Sequence, residues 1–122
     1  MKLLLDTHAF LWLTLGDDRL PQSARMIIDA SDDIVLSTAS VWEAEIKRAA
    51  GRLRVPPVEA SAHAAGIPVI PVTATEATHA AGLPRHHRDP FDRMLVAQAQ
   101  LSSRVLITRD ADLRSYAVAV AW

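Results

Sequence analysis

The chain has 122 residues, of which 50% are hydrophobic and 22% are charged, and its net charge is −1. This length suits one domain with one buried core, and the composition excludes a disordered or fibrous protein. Cysteine is absent, which excludes disulfides, thiolate metal sites and a Cys nucleophile and agrees with a cytoplasmic location. We therefore expect residues 1–122 to form a single domain.

The N-terminus begins with a short apolar run. Its start superficially resembles a secretory signal peptide, but Asp6 and His8 interrupt the run and no small-residue cleavage site follows. No apolar run reaches the ~18 residues that a membrane-spanning helix needs. We predict that Leu3 to Leu5 form a buried first strand and that the protein does not contact a membrane.

The rest of the chain alternates helical and extended patterns. In its first half we predict a helix His8 to Leu15 ending at Gly16, a helix beginning at Pro21, a strand Ile34 to Leu36, a helix Ser40 to Ala50 ending at Gly51, and a helix Val58 to Ala65. In its second half we predict a strand Val69 to Val72, a helix opened by a Thr73–Glu76 capping box, a basic loop 83–88, a helix from Pro90 to about Leu101, a strand Val105 to Thr108 and a short strand Ala117 to Ala121. This alternation predicts an α/β fold with a largely parallel sheet.

Four acidic residues follow strands or open helices. Asp6 and Asp110 come after predicted strands, whereas Glu43 and Asp92 lie near the starts of predicted helices. Because ligands bind at the carboxyl ends of the strands in such sheets, we expect the four side chains to converge on one crevice. Carboxylate oxygens are hard donors that suit Mg²⁺ or Mn²⁺. The sequence therefore predicts a divalent metal site.

Each of these acids also has a purely structural alternative. The alternatives are an N-cap for Asp6, a capping box with Ser40 for Glu43, the first turn of a helix capped by Asp89 for Asp92, and an N-cap for Asp110. For any one acid taken alone the alternative stays open. It does not explain why all four should lie at the same edge of one sheet.

Hydrolysis of a phosphodiester is the chemistry that this set of acids predicts. The reaction needs an activated water and positive charge beside the non-bridging oxygens, and divalent ions held by carboxylates supply both. We predict Asp6 and Asp92 as the strongest direct ligands and Glu43 and Asp110 as ligands held directly or through water. Hydroxyl groups of two neighbouring threonines, Thr7 and Thr108, are candidates for orienting the carboxylates.

Other polar residues are expected to have lesser roles. Glu45 should face away from Glu43 on its helix, and Asp112 is a reserve ligand. Basic residues near the acids would form a rim that holds a polyanion, although an ordinary solvated face is the alternative for any single arginine. These rim candidates are Arg85, His86, His87, Arg88, Arg93, Lys47, Arg48, Arg52 and Arg54.

Four segments together resemble a known family. They are Asp6-Thr7-His8, Trp42-Glu43 with Ile46-Lys47, the string His86 to Arg93, and Thr108-Arg109-Asp110. In this order they resemble the PIN-domain nucleases, and specifically the VapC-type toxins of type II toxin–antitoxin systems, with Asp-Pro-Phe-Asp-Arg as the most specific piece. Asp6, Glu43, Asp92 and Asp110 match the acidic quartet of that family.

The resemblance spans nearly the whole chain. It implies a fold, an activity and partners that the residues by themselves do not establish. It implies a three-layer α/β/α sandwich and an endoribonuclease that depends on Mg²⁺ or Mn²⁺. It also implies a homodimer that a small cognate antitoxin protein neutralises. The four matching acids would be both its catalytic residues and its metal ligands.

Three other functions compete with this one. A receiver domain needs a lysine after a late strand, but the only lysines are Lys2 and Lys47, and an Asp-x-Asp phosphatase needs an acid where His8 stands. A PIN fold that binds RNA or a partner without cutting remains open. Capture of an antitoxin by the apolar helix Ala9 to Leu13 is a further hypothesis, with burial in the core as its alternative.

Overall fold

Five strands form one parallel sheet in a computed structural model that describes residues 1–122. The strands are β1 Lys2–Leu5, β2 Asp33–Ser37, β3 Val69–Ile70, β4 Val105–Ile107 and β5 Val120–Ala121. Their order across the sheet is β3-β2-β1-β4-β5, and every neighbouring pair is parallel. The predicted α/β fold with a parallel sheet is confirmed.

Six α-helices and one 3₁₀ helix surround the sheet. The α-helices are α1 Thr7–Leu15, α2 Gln22–Asp29, α3 Thr38–Ala49, α4 Val58–Ala64, α5 Ala74–Ala81 and α6 Pro90–Ser102, and the 3₁₀ helix is Ala111–Tyr116. None of these helices combines the length and the apolar character that crossing a bilayer requires.

The central strand β1 separates two hydrophobic cores. Side chains alternate between the two faces of a strand, so Leu3 and Leu5 pack into one core while Leu4 packs into the other. The first core includes residues of α1, α2, α3 and α4, such as Phe10, and the second includes residues of α6 and the 3₁₀ helix, such as Leu95. Helices therefore cover both faces of the sheet, and the predicted three-layer sandwich is confirmed.

Several predicted helix ends are confirmed by their hydrogen bonds. Gly16 ends α1 with a φ of 63°, a left-handed conformation that suits glycine. The Thr73–Glu76 capping box has both of its bonds, at 3.2 and 2.9 Å. Pro90 is the first residue of α6, directly after the N-cap Asp89, as the sequence predicts.

Other predicted bounds are wrong by a few residues. Strand β3 ends at Ile70 rather than Val72, because Pro71 has no N–H to continue the ladder, and it lies at the sheet edge as expected. Strand β4 stops at Ile107, and β5 is only Val120–Ala121, since the residues before it turn through Ala117 with a φ of 54°. These changes leave the predicted order of elements intact.

The strand order reverses beside β1. The chain runs outward from β1 to β2 and β3, and then returns across the sheet to β4 on the other side of β1. Parallel sheets bind ligands at such a reversal, outside the carboxyl ends of the strands. Asp6 directly follows β1 and Thr108 directly follows β4, and the N–H of Asp6 donates to the carbonyl of Ile107 at 3.0 Å. The fold thus places both segments at one crevice.

Candidate metal centre

A polar cleft opens where β1 and β4 end. Its volume is about 240 Å³, and none of its lining residues is hydrophobic. The lining residues are Asp6, Thr7, His8, Glu43, Lys47, Asp89, Asp92, Thr108, Arg109 and Asp110. All four acids singled out in the sequence therefore lie in one cleft.

Asp6 is a helix cap and a cleft residue at the same time. Its Oδ1 accepts a hydrogen bond of 2.7 Å from the N–H of Ala9, which makes Asp6 the N-cap of α1. The side chain is buried, and this burial raises the pKa of the Asp6 carboxyl above its usual value, although the Ala9 and Thr108 hydrogen bonds oppose the rise. The capping bond is made to Oδ1, and the Asp6 side chain still lines the cleft.

Glu43 reaches the cleft from the second turn of α3. The predicted capping box of Ser40 and Glu43 is wrong, because Ser37 caps this helix by accepting the N–H of Ala39 at 3.0 Å. Glu43 is instead held by Thr7, whose hydroxyl donates to Oε1 at 2.5 Å, and by Lys47 Nζ at 3.3 Å from Oε2. The prediction that Thr7 orients a carboxylate is confirmed.

Asp92 lies in the first turn of α6, behind its cap. Asp89 Oδ1 accepts the N–H groups of Phe91 and Asp92, as the sequence predicts. The carboxylate of Asp92 itself receives no hydrogen bond from the chain. Burial first, then the negative charge of Asp89, raises the pKa of Asp92 to about 7, and the charges of Asp6 and Glu43 add to the rise.

Asp110 has two polar contacts. Its Oδ1 accepts the N–H of Asp112 at 3.0 Å, which confirms its predicted role as a cap, and its Oδ2 lies 2.9 Å from His87 Nε2. The same nitrogen is 3.5 Å from Asp92 Oδ2. His87, predicted as part of the basic rim, thus contacts two of the acids directly.

Two cationic side chains line the cleft. Lys47 pairs with Glu43, and Arg109 places its guanidinium 5.0 Å from the ring centre of Trp12. Two other predicted rim residues, Arg93 and Arg48, are partly buried and use their guanidinium groups for contacts within the chain. Arg93 donates to the carbonyls of Pro84, Leu83 and Ala80, and Arg48 donates to Val55 and Glu45. The side chains of Arg52, Arg54, Arg85, His86 and Arg88 are exposed.

The remaining polar residues have structural contacts. Glu45 accepts hydrogen bonds from Arg48 and from the N–H of Val58, so it lies outside the cleft as expected. Asp112, the predicted reserve ligand, is exposed and is not among the residues that line the cleft. Thr108 is buried, and its hydroxyl accepts the N–H of Asp110 at 3.1 Å.

The donor set fits a divalent cation. The cleft gathers carboxylates from Asp6, Glu43, Asp92 and Asp110, with Asp89 beside them, against the positive charges of Lys47 and Arg109 only. Carboxylate oxygens are the donors that Mg²⁺ and Mn²⁺ prefer. A bound cation would offset the repulsion and burial that raise the pKa values of Asp6 and Asp92.

Comparison with known protein sequences finds similarity along nearly the whole chain. The PIN domain family profile matches residues 3–119. The chain is 29% identical over 119 residues to a protein named ribonuclease VapC22 from Mycobacterium tuberculosis, covering 93% of this chain and 90% of that protein.

Two solved structures share the fold. A toxin–antitoxin complex from Klebsiella pneumoniae superposes with a TM-score of 0.71 at 18% identity, covering 99% of this chain and 97% of that chain. Mycobacterium tuberculosis VapC20, described as a toxin that cleaves the sarcin–ricin loop, superposes with a TM-score of 0.70 at 15% identity, covering 96% of each chain.

Asp92→Asn is expected to stabilise the metal-free protein at pH 8. The pKa of Asp92 in the folded protein, about 7, lies above its ordinary value of 3.8, so the folded protein binds this proton more tightly than the unfolded chain does. The free energy of unfolding therefore falls as the pH rises from 3.8 to about 7. Removing the charge should recover on the order of 1 to 3 kcal/mol at pH 8 and little at pH 4.

Urea denaturation in EDTA at both pH values measures this difference. The exposed Asp112→Asn is the matched control and should change little at either pH. A gain for Asp92→Asn of the same size at pH 4 and pH 8 would contradict the explanation.

Proposed function

Because the chain belongs to the PIN domain family, we propose that residues 1–122 are one nuclease domain that hydrolyses RNA phosphodiester bonds. The observation that carries the proposal is the convergence of Asp6, Glu43, Asp92 and Asp110 in one polar cleft. A relative at 29% identity is named a ribonuclease, and a structural neighbour is described as an RNA-cleaving toxin. We propose that this protein is likewise a toxin of a type II toxin–antitoxin pair, acting on RNA in the cytoplasm.

Activity is proposed to depend on Mg²⁺ or Mn²⁺ held in the cleft. Asp6 and Asp92 are the proposed direct ligands, and Glu43 and Asp110 complete the set directly or through water. A bound divalent ion supplies a more acidic water and positive charge for the phosphate oxygens. The raised pKa values of Asp6 and Asp92 support this assignment, because a cation stabilises the ionised carboxylates.

The chain's own groups prepare the site for a phosphodiester. The Ala9 N–H and the Thr7 hydroxyl fix the carboxylates of Asp6 and Glu43, so little rearrangement is needed when RNA binds. Arg109, held over the Trp12 ring at the cleft, is placed to contact a phosphate of the bound strand. The exposed Arg85 and Arg88, which line one surface pocket, extend this proposed contact along the backbone of the RNA.

A non-cleaving module that binds RNA or a partner is the alternative function. It would keep the fold and the basic side chains while lacking turnover. The presence of all four acids in the cleft favours hydrolysis. The two functions differ in one observable, which is the appearance of shorter RNA products.

A small antitoxin protein is proposed as a partner, supported by the fold shared with a toxin–antitoxin complex. The hypothesis that the segment Ala9 to Leu13 captures it is wrong, because Ala9, Phe10, Leu11 and Trp12 are buried in the core. Those side chains have no surface to offer a partner.

A second copy of the chain is the other proposed partner. An apolar surface, here named the Trp42 face, consists of Trp42, Ile46, Val72, Phe91 and Met94. Trp42 is 65% exposed and Ile46 is 46% exposed, and Trp42 meets Phe91 edge-on at 5.3 Å between ring centres. Contiguous exposed apolar side chains of this kind mark interfaces, and the resemblance to VapC-type toxins supports a homodimer.

The expected reaction is cleavage of RNA by the purified protein, freed of any antitoxin, in Mg²⁺ or Mn²⁺. EDTA should abolish cleavage, and Asp6→Asn or Asp92→Asn should lower its rate by about 100-fold or more, because each removes a proposed ligand. Gel analysis of labelled structured and single-stranded RNAs measures the rates. Asp112→Asn, which alters an exposed acid outside the cleft, should cleave like the unmodified protein.

Equal cleavage by the unmodified protein and Asp6→Asn, or full activity in EDTA, would rule out the metal-dependent mechanism. Binding of RNA without any product, under conditions in which the protein binds Mn²⁺, would favour the non-cleaving alternative.

Trp42→Glu is expected to convert a dimer into a monomer, because it places a charge in the middle of the Trp42 face. Light scattering after size-exclusion chromatography measures the mass of each species. Met26→Glu is the matched control, since Met26 is 63% exposed on α2, away from that face. A monomeric unmodified protein, or dissociation by both variants alike, would contradict the proposed interface.

A further inference from the structure

His87 contacts the acidic cleft without a task in the proposed hydrolysis. Several hydrogen bonds hold the loop that carries His87, residues 83–88. The N–H of His87 donates to the Tyr116 hydroxyl at 2.6 Å, and Arg93 donates to the carbonyls of Leu83 and Pro84 at 3.0 and 2.8 Å. Tyr116 is buried, and these contacts fix where the imidazole can lie.

The surroundings of the imidazole determine which nitrogen carries its proton. Nδ1 lies 3.2 Å from the backbone nitrogen of Asp89, whose N–H group is always a donor. Nδ1 must therefore accept, and in a neutral imidazole the proton is then on Nε2. Nε2–H faces Asp110 Oδ2 at 2.9 Å and donates to it.

This tautomer decides between two roles for His87. Nε2 and carboxylate oxygens of Asp92 and Asp110 all lie within 4.8 Å of one another, which on distance alone would suit a three-ligand metal site. A nitrogen that binds a metal needs a free lone pair, however, and Nε2 carries a proton. Moving this proton to Nδ1 would place it against the N–H of Asp89, where two donors would face each other.

We propose that His87 is a positioning residue for the metal centre and not one of its ligands. Through Nε2–H it holds Oδ2 of Asp110, while the N–H of Asp112 holds Oδ1, so both oxygens of this carboxylate have a fixed direction. The inference rests on the proposed metal-dependent function, because it assigns a group that orients one of the four acids. Partners that orient a ligand in this way typically change metal affinity by about 10- to 100-fold.

Nitrogen-15 NMR of the imidazole side chains tests the tautomer directly in the unmodified protein. The His87 ring resonances are assigned by through-bond correlation with the His87 backbone, so that the assignment needs no variant. We expect the Nε2–H tautomer without metal, and the same tautomer in saturating Mg²⁺. Loss of the proton from Nε2 when Mg²⁺ binds would overturn the inference, because it would make His87 a ligand.

Calorimetric titration of Mg²⁺ measures the consequence for affinity. His87→Ala should weaken binding by about 10- to 100-fold, and His87→Gln should recover most of the loss, because its amide N–H₂ occupies the place of Nε2–H. His86→Ala is the matched control, since His86 is exposed and contacts the Tyr116 ring rather than an acid. Unchanged affinity in His87→Ala would also overturn the inference.

These experiments distinguish a failure of the proposed metal-dependent function from a failure of the proposed role of His87. If the unmodified protein does not bind Mg²⁺, the proposed metal-dependent function fails. If it binds Mg²⁺ while His87→Ala binds equally well, or while Nε2 loses its proton, only the role of His87 fails. Neither measurement uses RNA, and the NMR result stands even if a His87 variant does not fold.

Discussion

Repulsion among carboxylates is the interaction around which the cleft is built. Burial is the largest cause of the raised pKa values of Asp6 and Asp92; in addition, the charge of Glu43 raises the pKa of Asp6, and the charges of Asp89, Asp6 and Glu43 raise the pKa of Asp92. A metal-free fold must tolerate this crowding, and Asp92 with a pKa of about 7 shows where the cost is concentrated. Such a cost is typical of functional sites, because crowded carboxylates would attract a cation.

Helix capping does not conflict with the proposed metal binding in the cleft. Asp6, Asp89 and Asp110 each accept a backbone N–H at the start of a helix, and these bonds fix the direction of each carboxylate. The strand order brings the helix starts to one edge of the sheet, since β1 and β4 are neighbours and both end there. A cap that would ordinarily be local thus becomes part of a long-range site.

Residues whose role depends on local pattern and strand order were predictable from the sequence. The apolar run of β1, the capping box at Thr73, and Pro90 behind Asp89 each have a nearest-neighbour cause. The convergence of the four acids followed from the rule for parallel sheets. The error at α3 has a local cause too, because both Ser37 and Ser40 are good caps and only the end of β2 selects Ser37.

The contacts of His87 and Arg93 could not be predicted in the same way. His87 meets Asp110 across 23 positions of sequence, and no local pattern separates it from its neighbour His86. Arg93 looked like a surface cation, but its guanidinium binds carbonyls of the loop that precedes α6. Both roles depend on how that loop folds back on Tyr116, which is a tertiary contact with no sequence signature.

Diffraction from crystals soaked in Mn²⁺ tests the central claim most directly, because anomalous scattering locates the ion without reference to activity. We expect a peak in the cleft within direct coordination distance of carboxylate oxygens of Asp6 and Asp92, with His87 Nε2 still hydrogen-bonded to Asp110. A cleft without an ion at saturating Mn²⁺, or an ion bound elsewhere with these acids unchanged, would contradict it.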